Sequence, residues 1–184
     1  MITQKYKKIL SEIHSNTKFG KRRKLPDFLE DFINDTQPAT ILDFGCGKGN
    51  LVETLKEKYT FRDIYGFDPA NPEYDKNLVK VDLIVSTDVL EHIEPELLDQ
   101  TLNEIKKHSK YIYHLISCAP AKLVLPDGRN AHVLLQDKFQ WIETFEQHEH
   151  TIEEVFPYSI PDPNFNARER VCIWTRKLKD YTKR

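Results

Sequence analysis

The sequence predicts an α/β domain built on a mostly parallel sheet, and three observations support this prediction. Short apolar runs typical of buried strands alternate with segments of helical spacing along most of the chain. The first run ends in the glycine-rich stretch Gly45-Cys46-Gly47-Lys48-Gly49, which is typical of a tight strand-to-helix turn. The length of 184 residues favours one domain and is sufficient to bury a core.

In the N-terminal part, residues 1–37, the sequence predicts a helical segment and a basic connector, both packed on this core. One apolar helix face is formed by Tyr6, Ile9, Leu10 and Ile13. A dense basic cluster follows at residues 18–24. We expect a short second helix to have Pro26 and Asp27 in its first turn and, on its inner face, Phe28, Leu29, Phe32 and Ile33.

In the core domain, residues 38–178, the residue pattern predicts strands at 40–44, 64–67, 81–86, 111–116, 151–156 and 169–175. Helices are expected at 51–59, from Pro95 to Lys107, and at 139–145. Right-handed crossovers between parallel strands place these helices on both faces of the sheet. The stretch between Asp68 and Val81 is too short for a helix and a further strand, so we expect a trimmed sheet there. A proline-containing loop, starting at Pro157, separates the two closing strands.

Composition excludes several classes of protein. Lys and Arg number 27 and Asp and Glu 29, a net charge of −2, which argues against a dedicated nucleic-acid coat. No apolar run is long enough to cross a membrane or to act as a signal peptide. Three widely spaced cysteines (Cys46, Cys118 and Cys172) cannot form a complete disulfide framework, which predicts a cytoplasmic protein. The oligomeric state stays open.

The glycine-rich stretch is a candidate binding turn, because ligands of open α/β sheets lie at the carboxyl ends of the strands. Asn50 stands where a dinucleotide fingerprint needs its third glycine, and Leu42 and Gly49 break a phosphate-loop motif. Asp68 ends the second strand, where an ionised carboxylate can accept hydrogen bonds from two ribose hydroxyls. The alternative is that Asp68 only begins an Asp-Pro turn.

Three segments carry a resemblance to a known family: residues 41–49 (ILDFGCGKG), residues 65–69 (YGFDP) and residues 81–93 (VDLIVSTDVLEHI). The chain resembles class I S-adenosylmethionine-dependent methyltransferases, which have a Rossmann-like, doubly wound sheet with an antiparallel closing strand. The third segment is similar to the O-methyltransferases of ubiquinone biosynthesis. The loop at residues 125–132 (LPDGRNAH) resembles a group of short bacterial and phage methyltransferases.

The resemblance implies S-adenosylmethionine as cofactor, with S-adenosylhomocysteine as product. It implies that the glycine turn holds the methionine end of the cofactor and that Asp68 holds its ribose. Pro69 and Ala70 would form an apolar wall for adenine. The residues that the resemblance assigns to the cofactor are Asp43, Phe44, Gly45, Cys46, Gly47, Gly49, Asp68, Pro69 and Asp88.

Asp88, His92 and His132 are the candidate catalytic residues, since an oxygen nucleophile must lose a proton and a nearby base helps. For Asp88 the alternative is a helix cap, and for His92 an orienting role. His132 is the first choice as base, although a loop histidine can simply hold the loop by hydrogen bonds. Arg129 is a candidate for binding an anionic substrate group or is a solvated loop residue.

We assign no metal from the sequence. The segment His148-Glu149-His150 contains residue types that bind metals. A helix-to-strand turn is predicted within it and separates its alternating side chains, and the sequence offers no paired Cys or His cluster nearby. Cys46 and Cys118 are interpreted as small packing residues.

The leading hypothesis is a small-molecule methyltransferase that acts on oxygen. A nucleic-acid methyltransferase is the second candidate, suggested by the basic cluster, but the Pro-Pro-aromatic motif of amine-directed enzymes is missing after Ser86. A cofactor-binding protein without turnover is the third, because the glycine turn and Asp68 describe binding and not chemistry. A nicotinamide-dependent oxidoreductase is the last candidate, because Asn50 replaces the third glycine of the dinucleotide fingerprint.

Overall fold

A computed structural model describes residues 2–16, 25–26, 28–160 and 168–176. The strands are β1 (Thr40–Phe44), β2 (Asp63–Phe67), β3 (Val81–Thr87), β4 (Ser109–Ser117), β5 (Thr151–Ile160) and β6 (Arg168–Arg176). They form one sheet in the order β2-β1-β3-β4-β6-β5. Strands β1 to β4 run parallel, and β6 is antiparallel to both of its neighbours, β4 and β5. The predicted α/β class and the antiparallel closure are confirmed.

The helices are α1 (Gln4–Asn16), α2 (Leu29–Thr36), α3 (Asn50–Lys58), α4 (Leu98–His108) and α5 (Lys138–Gln147). Two 3-10 turns lie at Leu90–His92 and Pro95–Leu97. The apolar sides of α2 and α3 share one core with one face of the sheet. The apolar sides of α4 and α5 share a second core with the opposite face. This arrangement is the doubly wound architecture that the alternation of strands and helices predicted.

Several element boundaries differ from the prediction by one or more residues, and three of these differences involve a proline or a positive φ. Helix α2 begins at Leu29 and not at Pro26, because Phe28 has a positive φ of 65°. The Phe28 ring is accordingly not on the inner face and stacks on Phe156 at 4.6 Å between centroids. Pro95 opens a 3-10 turn before α4, and Pro157 lies inside β5. A proline is tolerated there because β5 is an edge strand.

The sheet is trimmed after β2 as expected. Residues 68–80 are all described and include no strand, so β2 is the opposite edge of the sheet. Helix α1 lies over the loop that follows β4, where Tyr6 and Ile13 pack with Leu125 and Ala131. The basic cluster at residues 18–24 and Asp27 lie outside the described residues. Among the helices that are described, none is long and apolar enough to cross a membrane.

Candidate active site

The glycine bend, residues 45–49, joins β1 to α3 and is fixed to the end of β2. Gly45, Gly47 and Gly49 have φ values of 75°, 56° and 75°, a region that residues with a Cβ rarely adopt. The carbonyl of Phe67 accepts the N–H groups of Gly45 at 2.7 Å and Cys46 at 3.1 Å. The carboxyl ends of β1 and β2 are therefore held side by side.

Asp68 links this bend to the turn after β2. Its carboxylate is 6% exposed, and its Oδ2 accepts the Gly47 N–H at 2.8 Å. Its Oδ1 accepts the Ala70 N–H at 2.8 Å. Asn71 completes the link by donating from Nδ2 to the Gly47 carbonyl at 2.7 Å. Each carboxylate oxygen can accept more than one hydrogen bond, so Asp68 can serve both the turn and a ribose.

Neighbouring side chains cover part of the bend. A Cβ on Gly45 would lie 2.5 Å from Cγ2 of Val89, and one on Gly49 would lie 2.1 Å from the Tyr74 hydroxyl. Val89 and Tyr74 therefore occupy the space that side chains at these two positions would need. A ligand has to approach the peptide edges of the bend instead.

A cavity of about 400 Å³ opens beside the end of β2. Phe67 and Pro69 line it from the sheet side, and Glu104 and His108 of α4 contribute to it as well. Helix α1 adds Lys7, which forms an ion pair with Asp75 at 2.5 Å. Pro69 therefore faces an open space, as an apolar wall requires, whereas Ala70 is only 2% exposed.

Asp88 follows β3 and pairs with Arg170 of β6. Its backbone has a φ of 56°, and its N–H donates to the Leu115 carbonyl at 2.8 Å. The capping alternative is not found, since the next 3-10 turn begins after Val89 without a side-chain cap. The structure gives Asp88 an ion-pair partner, and its role as a base stays a prediction.

The structure brings His92 and His132 together. Their ring centroids are 4.8 Å apart. His92 donates from Nδ1 to the Ala131 carbonyl at 2.6 Å, and His132 donates from Nδ1 to the Ala119 carbonyl at 2.5 Å. With the proton on Nδ1, each imidazole presents the lone pair of Nε2.

Glu91 lies beside this pair, a position that the sequence did not predict. Its side chain is 0% exposed, and its Oε1 accepts the Ser117 N–H at 2.8 Å at the end of β4. Its own carbonyl accepts the Leu134 N–H at 3.0 Å, which ties the loop after β4 to the 3-10 turn. The sequence signal for Glu91 was its place beside His92, and its burial depends on the tertiary packing.

Arg129 forms an ion pair with Asp127 at 2.8 Å. Its guanidinium lies over the Tyr6 ring at 5.5 Å from the centroid. These contacts join the loop after β4 to α1. The predicted substrate contact of Arg129 stays a prediction.

The other histidines and cysteines that we considered do not form a site together. His148 donates from Nδ1 to the Thr144 carbonyl and contacts Asp99 through Nε2, whereas Nδ1 of His150 contacts Thr175. Burial raises the pKa of the Cys46 thiol, so it stays protonated. Burial, assisted by the Glu91 carboxylate, raises the pKa of Cys118 to about 12.

Comparison with known proteins identifies the class. Residues 18–175 match the family model that is described as a methyltransferase domain. The match covers most of the chain, and the chain belongs to this family. It is an S-adenosylmethionine-dependent methyltransferase, as the sequence predicted.

Solved structures support the fold. An S-adenosylmethionine-dependent methyltransferase from Methanosarcina mazei is 14% identical over 84% of this chain and 99% of that chain, with a TM-score of 0.65. The 1,6-didemethyltoxoflavin-N1-methyltransferase of Burkholderia thailandensis, solved with S-adenosylhomocysteine, is 15% identical over 77% of this chain and 72% of that chain, with a TM-score of 0.56. The mitomycin 7-O-methyltransferase MmcR is 10% identical over 94% of this chain and 54% of that chain, with a TM-score of 0.57.

Proposed function

We propose that this enzyme transfers a methyl group from S-adenosylmethionine to an oxygen of a small-molecule acceptor. The observation that carries the proposal is the pair of imidazoles at the carboxyl ends of β3 and β4, His92 and His132, whose Nδ1 groups donate to backbone carbonyls. Val89 belongs to the same turn and packs on Gly45, so the imidazole pair and the glycine bend adjoin. A donor site and an acceptor site next to each other are what methyl transfer needs.

The cofactor site in this proposal lies along the ends of β1 and β2. The methionine part lies against the peptide edges from Asp43 to Gly49, the ribose hydroxyls donate to Asp68, and adenine points toward Pro69 and the cavity beside it. Asp43 and Phe44 are only 2% and 3% exposed, so they would support the glycine bend rather than contact the cofactor over a large area. Asp88, bound to Arg170, is left out of this set.

The bound cofactor supplies an electrophilic methyl group on a sulfonium. The chain has to hold the acceptor oxygen in line with that group and assist the loss of its proton. Nε2 of His132 is the proposed proton acceptor, with Nδ1 fixed by the Ala119 carbonyl. Asn130 stabilises this loop because its side chain bonds both backbone groups of Ala121, at 2.9 Å each, and the His132 N–H at 2.9 Å.

Helix α1 is the proposed cover of the acceptor. Tyr6 is 0% exposed, and its hydroxyl has no hydrogen-bond partner within the described part of the chain. A buried hydroxyl without a partner is costly, so a polar group of the acceptor is a suitable partner. The near balance of charge favours a small acceptor over a nucleic acid.

We expect His132→Ala to lower turnover about 100-fold while the affinity for S-adenosylmethionine stays within about twofold of wild type. The reason is that the imidazole lies on the acceptor side of the site. The measurement is methyl transfer from labelled cofactor to a cellular metabolite extract, with mass analysis of the product. His148→Ala is the matched control, since that imidazole also donates from Nδ1 to a carbonyl but contacts Asp99. Unchanged turnover in His132→Ala would reject His132 as the proton acceptor. Label found in a polynucleotide, or on a nitrogen of the product, would reject a small-molecule oxygen as the acceptor.

A further inference from the structure

We propose that Glu91, His92 and His132 bind a divalent transition-metal ion beside the acceptor. Each of the three offers one ligand atom, and these atoms lie within 4.8 Å of one another. The sequence alone predicted no metal site here. The role of the ion in catalysis rests on the proposed function, whereas its binding does not.

The two imidazoles are oriented as metal ligands usually are. A metal-binding histidine donates its other ring N–H to a carbonyl or carboxylate, which fixes the tautomer and the plane of the ring. His92 does this with the Ala131 carbonyl, and His132 does it with the Ala119 carbonyl. In this tautomer Nε2 of each ring is the atom that can bind a metal ion.

The carboxylate of Glu91 is also held in place. The Ser117 N–H binds Oε1, and the Leu134 N–H binds the backbone carbonyl. The side chain is 0% exposed, and a neighbouring positive charge favours an ionised carboxylate at such depth. A divalent ion between Glu91 and the imidazoles supplies that charge.

The donor set selects the kind of ion. Two imidazoles and one carboxylate suit Zn²⁺, Mn²⁺ or Fe²⁺ better than Ca²⁺ or Mg²⁺, which prefer all-oxygen sites. Bond lengths of about 2.1 Å place ligand atoms about 3 Å apart, so binding draws the three together by up to about 2 Å. His92 and His132 are only partly buried, and modest side-chain rotations suffice for this approach.

The coordination positions of the ion that these three residues do not fill would be left to the acceptor. Asp88 is engaged by Arg170. Three protein ligands with open positions are typical of catalytic metal sites.

In this arrangement the ion acts as a Lewis acid on the acceptor. A hydroxyl bound to a divalent ion has a lowered pKa and releases its proton to solvent. The resulting oxygen then forms the new bond to the methyl carbon while the carbon–sulfur bond breaks, which yields the methyl ether and S-adenosylhomocysteine. The ion keeps its charge throughout. Nε2 of His132 cannot bind the ion and accept a proton at once, so in the metal-bound site it is a ligand and this role replaces that of the base; its loss still lowers turnover.

The test is a calorimetric titration of metal-free wild-type protein with MnCl₂ and, separately, with ZnCl₂. No cofactor or acceptor is present, so the outcome is independent of methyl transfer. We expect one ion per chain, and we expect His92→Ala and His132→Ala each to weaken binding at least tenfold. The metal content of the titrated protein, measured after desalting, gives an independent stoichiometry.

Two variants keep the test decisive. Glu91→Gln retains an oxygen for the Ser117 N–H but loses the charge, and we expect weaker binding at unchanged thermal stability of the metal-free protein. His148→Ala is the matched control and is expected to bind like wild type. The proposal is overturned if wild type binds neither ion, or if Glu91→Gln and His132→Ala bind as tightly as wild type.

Discussion

Asp68→Ala is expected to weaken binding of S-adenosylmethionine by tenfold or more. The carboxylate is proposed to accept hydrogen bonds from the ribose hydroxyls, and it also holds the Gly47 and Ala70 N–H groups at 2.8 Å each. Its removal takes away the ligand contact and loosens the junction between the glycine bend and the turn after β2. Charge-assisted hydrogen bonds of this kind contribute about 1.5–3 kcal/mol each, which corresponds to a tenfold loss or more. Equilibrium titration with the cofactor measures the effect.

Asp82→Ala is the matched control for this variant. The Asp82 carboxylate also organises backbone, since its Oδ2 accepts the N–H groups of Ala39 and Thr40 at 3.0 Å each. It lies at the amino ends of β1 and β3, away from the proposed ligand. We expect Asp82→Ala to lower the free energy of unfolding with cofactor affinity near wild type. Wild-type affinity in Asp68→Ala would remove Asp68 from the cofactor site.

Acid is expected to destabilise the fold between pH 6.5 and pH 4 through two buried histidines. His114 on β4 is 0% exposed, packs on Phe145 at 4.7 Å and has no hydrogen-bond partner among the described residues. Burial holds its pKa well below the ordinary 6.5, and His150 lowers it further. Burial likewise lowers the pKa of His150 to about 4, with smaller contributions from Lys106 and His148.

Both pKa values are lower in the folded than in the unfolded chain, so below pH 6.5 the unfolded chain binds more protons. The free energy of unfolding therefore falls as the pH falls, and the loss levels off only below the folded pKa. His150 alone accounts for a loss of about 3 kcal/mol by pH 4. Urea unfolding at several pH values measures this slope. We expect His114→Leu to flatten it, and an equally steep slope in that variant would contradict the assignment.

The fold could be predicted from the sequence because local signals agreed with the topology. The buried runs and their glycine and proline boundaries located all six strands, and the short stretch after Asp68 indicated the trimmed sheet edge. The boundaries that were wrong depend on single backbone conformations. Phe28 has a positive φ and its ring stacks on Phe156, a residue distant in sequence, and no local pattern encodes this contact.

The candidate site could be predicted in part. The glycine bend, Asp68, His92 and His132 are recognisable because they follow strands that meet at one edge of the sheet. Arg170 was missed because its contact with Asp88 depends on the register of the antiparallel strand, in which it pairs with Ser117. Tyr74 was missed because it reaches Gly49 and Gly66 from a loop without periodicity.

The most direct test of the account is a crystal structure of the protein with S-adenosylhomocysteine. We expect the ligand at the carboxyl ends of β1 and β2, with both ribose hydroxyls at about 2.7–3.0 Å from the Asp68 carboxylate and the amino-acid part along the peptide edges of the glycine bend. A ligand bound elsewhere, or no ligand at saturating concentration with Tyr74 and Val89 closed over the bend, would contradict it.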